Sequence, residues 1–178
     1  ATRNQIVFLG AGTLNIGGNG TITGGTISSA VGGYTALTNG TVNYNGSTQT
    51  VGNYNYYHLT LSGSNTKTLQ NGASIGGNLN IGDETTLDIG SNSLTVTGTT
   101  TIGGGSSGNL MISGYNTSRI FTGLVTINAG GTWNNSASSP VTFRGGITNN
   151  GTFTAGNTYT FDTNAQSLNG NLNMSGST

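Results

Sequence analysis

Apart from hydroxyls and amides, few side chains in this 178-residue sequence could do chemistry: four carboxylates, four basic groups, one histidine and thirteen aromatic rings. Asp83, Glu84 and Asp88 share the run GDETTLD, and Asp162 lies far downstream. Acid–base cleavage of a polysaccharide needs two converging carboxylates, or one carboxylate with a basic partner. Asp83 and Glu84 fall in an expected turn. Asp88 lies between Leu87 and Ile89 and is expected to face outward, so no catalytic residue is expected. His58, beside Leu59 in YYHLTL, is expected to point outward. With no second histidine and no cysteine, no metal site is expected. GGNGTIT and GGGSSGN lack the Asp of a repeat-type calcium loop. No cofactor is expected either.

The rings offer a better case for binding. Tyr54, Tyr56 and Tyr57 crowd the loop GNYNYYH, and exposed tyrosines can stack on sugars; Trp133 in GGTWNNS and Tyr115 are weaker candidates of the same kind. The alternative is that one or two of the loop tyrosines pack beneath it as a lid.

Residues so dispersed must be positioned by something regular. The sequence holds 33 glycines, and with threonine and asparagine they make up about half of the chain. Four basic residues balance four acidic ones. That balance argues against nucleic acid, which needs a basic stripe. No run approaches the ~18 apolar residues of a membrane span. Within this polar background Leu, Ile, Val and Phe recur at alternate positions, a strand signal. Asn-Gly pairs, such as Asn45-Gly46 and Asn150-Gly151, punctuate the strands.

One pattern recurs: apolar, any, Gly, any, apolar, any, apolar. It runs Ile75-Gly77-Leu79-Ile81, Val96-Gly98-Thr100-Ile102, Phe121-Gly123-Val125-Ile127, Phe143-Gly145-Ile147 and Leu168-Gly170-Leu172-Met174. The spacing of its glycines implies a period of roughly 23 residues, within the range of repeat architectures. Val42, Tyr44, Gln49 and Val51 also match Tyr159, Phe161, Gln166 and Leu168 at a constant offset of 117, near five such periods. Several short strands per period mean a solenoid. The expected fold is all-β, a right-handed parallel β-helix of seven to eight coils, one domain over residues 1–178 with 1–40 least regular and 41–178 clearly repeated. Ile81, Ile102 and Ile127 should stack inward, beside a row holding Leu79 and Val125. Asn80, Thr101, Thr126, Thr148 and Asn173 should stack outward. Only Thr99/Thr101 among the outward pairs is Thr-x-Thr, too little for an ice-binding array.

TVNYNGSTQTV followed by YYHLTLSG, and then GNLNIG with LDIGSNSLTVTG, resembles the repeats of very large cell-surface proteins of Bacteroidetes-type bacteria. The resemblance runs from about Gly40 to the end. It implies an exported, adhesin-like protein, often carried by the type IX pathway, with a β-helical stalk. It brings no catalytic residues. The expected function is therefore that of an extracellular structural module, a stalk or self-assembling filament without catalysis. A polysaccharide-binding module using Tyr54, Tyr56 and Tyr57 is the alternative, with a surface polysaccharide as partner. Copies of the chain, or the rest of a longer solenoid, are the other expected partners. Ile6, Val7, Phe8 and Leu9 are expected to meet Leu168, Leu172 and Met174 of a neighbour end to end.

Overall fold

The computed structural model describes residues 5–22, 26–28, 39–116, 118–163 and 165–174. Among these the chain forms short strands and no helix: β1 Gln5–Val7, β2 Thr13–Ile16, β3 Thr26–Ser28, β4 Thr41–Tyr44, β5 Gln49–Val51, β6 Asn55–Tyr56, β7 His58–Leu61, β8 Asn65–Leu69, β9 Ala73–Ile75, β10 Leu79–Ile81, β11 Thr85–Asp88, β12 Leu94–Val96, β13 Thr100–Ile102, β14 Asn109–Met111, β15 Arg119–Phe121, β16 Val125–Ile127, β17 Thr132–Asn134, β18 Val141–Phe143, β19 Ile147–Asn149, β20 Thr152–Thr154, β21 Tyr159–Phe161 and β22 Leu168–Gly170.

From β4 onward every third strand returns to the same sheet. One sheet carries eight parallel strands in the order β2-β4-β7-β10-β13-β16-β19-β22. Two others carry six each, β5-β8-β11-β14-β17-β20 and β6-β9-β12-β15-β18-β21, and β1 pairs with β3 apart from them. The chain is thus a parallel β-solenoid of about six turns, fewer than the seven to eight expected. Dividing the chain length by a constant period overcounted. The step from β2 to β4 alone runs from Leu14 to Val42, longer than any later turn of this sheet, and β1 and β3 lie outside the three sheets. Between Val42 and Leu168 the turns are uneven. The shortest runs from Val42 to Leu59 and the longest from Thr100 to Val125.

Register follows the alternation. In the eight-stranded sheet one inward row runs Leu14, Val42, Leu59, Leu79, Thr100, Val125, Ile147, Leu168, and a second runs Ile16, Tyr44, Leu61, Ile81, Ile102, Ile127, Asn149, Gly170. Ile81, Ile102 and Ile127 are buried in one stack as expected, with Leu79 and Val125 in the row beside it. Between them the outward row reads Asn15, Asn43, Thr60, Asn80, Thr101, Thr126, Thr148, Asn169.

Two readings of the repeat are corrected at the last turn. Asn169, not Asn173, ends the outward row, and Leu168 lies beside Ile147 rather than Phe143. Tyr159 and Phe161 land on Val141 and Phe143, so β21 takes the place that the motif gave to Leu168. The offset of 117 does not count turns either, because Val42 and Tyr44 lie in the eight-stranded sheet and Tyr159 and Phe161 in another. What the two segments share is a corner. Gln49, shortly after Tyr44, donates to the Ile16 carbonyl at 2.7 Å; Gln166, at the same spacing after Phe161, donates to the Phe143 carbonyl at 2.9 Å. Ile16 and Phe143 are the register partners of Tyr44 and Phe161 one turn before. Each amide staples its corner to the preceding turn, at two different vertices of the coil.

The motif glycines have a steric cause. Gly77, Gly98, Gly123 and Gly145 lie one above another at a corner. A Cβ on Gly98 would come 2.5 Å from the Gly77 carbonyl oxygen, and one on Gly123 2.2 Å from that of Gly98. Backbones that close leave no room for a side chain.

Two substitutions test the inside–outside assignment. Ile102→Asp places an unpaired carboxylate in the core and should cost several kcal/mol, whereas Thr101→Asp, on the outer row, should leave the urea midpoint nearly unchanged. Thr100 is fully buried between Leu79 and Val125, and its hydroxyl has no hydrogen-bond partner. Thr100→Val keeps the shape and removes that unsatisfied group, so it should stabilise the fold by about 1 kcal/mol. A destabilised Thr100→Val would show that the row is not dry and apolar at this turn.

Candidate functional site

Most charged groups of the described residues are engaged inside the fold. Lys67 alternates with Leu69 along β8, which carries it inward, and its side chain is fully buried. Its ammonium donates to the carbonyls of Gly46, Ser47 and Ser64 at 2.9, 2.6 and 2.6 Å. Arg119 alternates with Phe121 along β15 and is buried likewise. Its guanidinium donates to the carbonyls of Gly90, Gly114 and Asn116 and to the Ser139 hydroxyl. Burial pulls both groups below their ordinary pKa. Neither has a carboxylate partner among the described residues; each draws together carbonyls of adjoining turns. Alternation counted from Leu69 and Phe121 is the sequence signal that places both inside.

The acids do not converge. One oxygen of Asp83 accepts from the backbone N–H groups of Gly104, Ser107 and Ser106 at 2.7, 3.0 and 3.3 Å. The glycine-rich corner of the next turn thus wraps this carboxylate and lowers its pKa to about 2, chiefly through the Ser107 and Gly104 N–H groups. Glu84 sits beside it with a φ of +59°, its N–H donating to the Ser107 hydroxyl. Asp88 accepts from the Gly90 N–H and the Ser113 hydroxyl. Asp162 forms a two-pronged bridge with Arg144, its neighbour on the previous turn, at 2.9 Å, and that guanidinium holds its carboxyl below the usual range. His58 is half-buried; its Nδ1 accepts from the Asn78 N–H at 2.9 Å and its ring meets that of Tyr57.

The expected binding rings divide. Tyr56 is buried, and its hydroxyl donates to the Gly52 carbonyl at 2.7 Å. That leaves the Tyr44 hydroxyl to donate to Tyr56 at 3.1 Å while accepting from the Gly52 N–H. Burial raises the Tyr56 pKa far above the usual phenol range. Trp133 is fully buried too, against Phe121, Phe143 and Phe153. Tyr56 thus packs beneath the loop, the alternative given for one or two of its tyrosines, and Trp133 is corrected from a binding candidate to a core ring: alternation along β6 and β17 turns both inward. Tyr54 is half-buried, its hydroxyl donating to the Ile22 carbonyl, and Tyr57 is half-buried against His58. Tyr115 is exposed.

An apolar opening lies at the end of the last turn. Phe121, Trp133, Phe143, Phe153, Tyr159 and Phe161 form a chain of ring contacts with centroids 5.3–5.9 Å apart, running toward that end. It opens into a cavity of about 330 Å³ lined by Ile147, Phe153, Tyr159, Phe161, Leu168, Gly170, Leu172 and Met174. Phe161, Leu168 and Met174 are 42, 52 and 52% exposed. Of the four residues proposed at the other end, Phe8 is buried against Gly40, Ile6 and Val7 are half-buried, and Leu9 is 82% exposed.

Asp83 sets a pH dependence. Its folded pKa lies below its unfolded one, so the contribution is complete above about pH 4 and is lost as pH falls through about 2. Asp162, held below the usual range by its hydrogen bonds from Arg144, contributes with the same sign, its share being lost in acid. Asp83→Asn should flatten the acid limb of urea midpoint against pH, with wild type and variant converging toward pH 2. Parallel curves would remove Asp83 from that limb.

Comparison with protein-family models, with curated proteins and with solved structures found no match, so the fold and these contacts are the ground on which function is read.

Proposed function

We propose that this chain is a structural stalk module of an adhesin-like protein at the bacterial cell surface, a spacer that does no catalysis. The observation that carries the reading is the eight-stranded sheet, whose outward row holds only Asn and Thr over eight strands. Seven steps of ~4.8 Å make that sheet about 34 Å long. Uncharged amides and hydroxyls keep such a rod hydrated without like charges meeting between turns. Lys67, Arg119, Asp83, Asp88, Arg144 and Asp162 are paired within the fold, leaving little to act on a substrate. A further solenoid segment or another copy of the chain is the partner that such a module calls for.

Two measurements test this. A screen of the purified chain on a glycan array, with detection of new reducing ends, should show neither retention nor cleavage. Pulling between cysteines placed at Asn15 and Asn169 should release the solenoid turn by turn, in steps of roughly 70 Å for roughly 21 extended residues at ~3.4 Å each. Saturable retention on a glycan, lost in Tyr57→Ala, would replace the stalk reading with sugar binding.

A further inference from the structure

The sequence holds six Asn-Gly pairs, beginning at Asn19, Asn39, Asn45, Asn71, Asn150 and Asn169. Such a pair carries a reaction of its own. The backbone nitrogen of the glycine can attack the Asn Cγ, because glycine offers no side chain to obstruct the approach. Two freedoms decide whether it does so. The glycine N–H must not be tied up in a hydrogen bond, and the main chain must be able to turn that nitrogen toward the side chain. The fold grants these freedoms unequally.

Three pairs are held by the glycine N–H. Gly20 donates to the Gly17 carbonyl at 2.9 Å, Gly46 to Gln49 Oε1 at 2.8 Å, and Gly151 to Asn149 Oδ1 at 3.0 Å. Two more are held by the main chain around them. Gly40 is buried under Phe8, whose ring lies 2.3 Å from where a Cβ would stand. Asn169 lies within β22, its extended backbone fixed opposite Thr148. Asn71-Gly72 is left, at the corner between β8 and β9. Asn71 is exposed, and neither its side chain nor the Gly72 N–H has a hydrogen-bond partner among the described residues. The corner is nonetheless anchored on both sides. The Gln70 N–H donates to the Val51 carbonyl at 3.0 Å and the Ala73 N–H to the Ser93 carbonyl at 3.1 Å. A Cβ on Gly72 would come 2.3 Å from the Ser93 hydroxyl, so the next turn keeps position 72 a glycine.

We propose that Asn71 is a site of spontaneous covalent modification, the first amide of the folded chain to convert to an acid. The Gly72 nitrogen bonds to Asn71 Cγ and gives up its proton; the Cγ–Nδ2 bond breaks and ammonia leaves, closing a five-membered imide. Water then adds to one of the two imide carbonyls. One opening leaves an aspartate at position 71. The other leaves an isoaspartate, whose main chain is longer by a methylene. Water is the only co-reactant. Either product adds a negative charge to a chain whose four basic and four acidic residues balance. The isoaspartate also lengthens the corner between the two bonds that tie it to the adjoining turns. None of this rests on the stalk reading.

Trypsin cuts after Lys67 and Arg119, so Asn71-Gly72 is the single Asn-Gly pair in the peptide 68–119. The folded chain is held at mildly alkaline pH, then unfolded, digested and mapped by mass spectrometry. Peptide 68–119 should show the amide-to-acid mass increment before the other peptides. Fragmentation should place it at Asn71, and chromatography should divide it between aspartate and isoaspartate. In strong urea the six pairs should react at similar rates, and the lead of Asn71 should disappear. Asn71→Gln should abolish the early increment and leave the circular dichroism spectrum unchanged, since the side chain is exposed and makes no bond. An earlier increment at any other Asn-Gly pair of the folded chain would overturn the proposal. So would an Asn71 that stays intact in the fold while the unfolded chain reacts, or one that leads equally in both states.

Discussion

Parallel pairing sets each residue beside its counterpart in the next turn, ~4.8 Å away, and every other feature of this chain answers to that spacing. A side chain in such a row must tolerate a copy of itself on both sides. Aliphatic groups do so inside, as in Leu61, Ile81, Ile102 and Ile127. Amides and hydroxyls do so outside, and can hydrogen-bond along the row, as Asn43 does to Asn15 at 2.9 Å. Charges do not, because like groups one turn apart repel. The sparse charge of the sequence is therefore a product of the fold.

The exceptions show how the constraint is met where composition breaks it. Lys67 and Arg119 enter the interior singly, flanked in their rows by neutral residues, Gln49 and Leu87 in one case and Leu94 in the other. Carbonyls that turn toward them at the corners replace the water they lose. Asp83 is met by three N–H groups of the adjoining glycine-rich corner, and Arg144 by Asp162 one turn on. Lys67, Arg119, Asp83 and the Arg144–Asp162 pair each reach an adjoining turn, so these charges act as fastenings between coils.

Most of the fold was legible because alternation and register reinforce each other. Once Ile81, Ile102 and Ile127 are set inward, the outward row follows. The turn count failed because turn length is decided corner by corner. The step from Val42 to Leu59 is short and that from Thr100 to Val125 long, and a mean period hides the difference. The last turn failed because a glycine at position 170 looked like the corner glycines 77, 98, 123 and 145, while the aromatic pair Tyr159 and Phe161 determines the register there. The shared motif around Gln49 and Gln166 misled for a related reason. It encodes a local corner, and different vertices of a coil can use the same corner. Loops with aromatics suggest binding and leave open which ring packs beneath; strand alternation, applied to β6 and β17, makes Tyr56 the lid and turns Trp133 inward.

Because each turn is held chiefly by the turns beside it, protection should be graded along the axis, which is the most direct consequence of the row structure. Amide hydrogen exchange resolved by residue measures this. The account predicts the slowest exchange for the amides of Ile81, Ile102 and Ile127 in the middle turns, and progressively faster exchange through β19 to β22. Equal protection from β4 to β22 would mean that the chain opens as one cooperative unit. Fast exchange at Ile102 would contradict the buried, in-register stack itself.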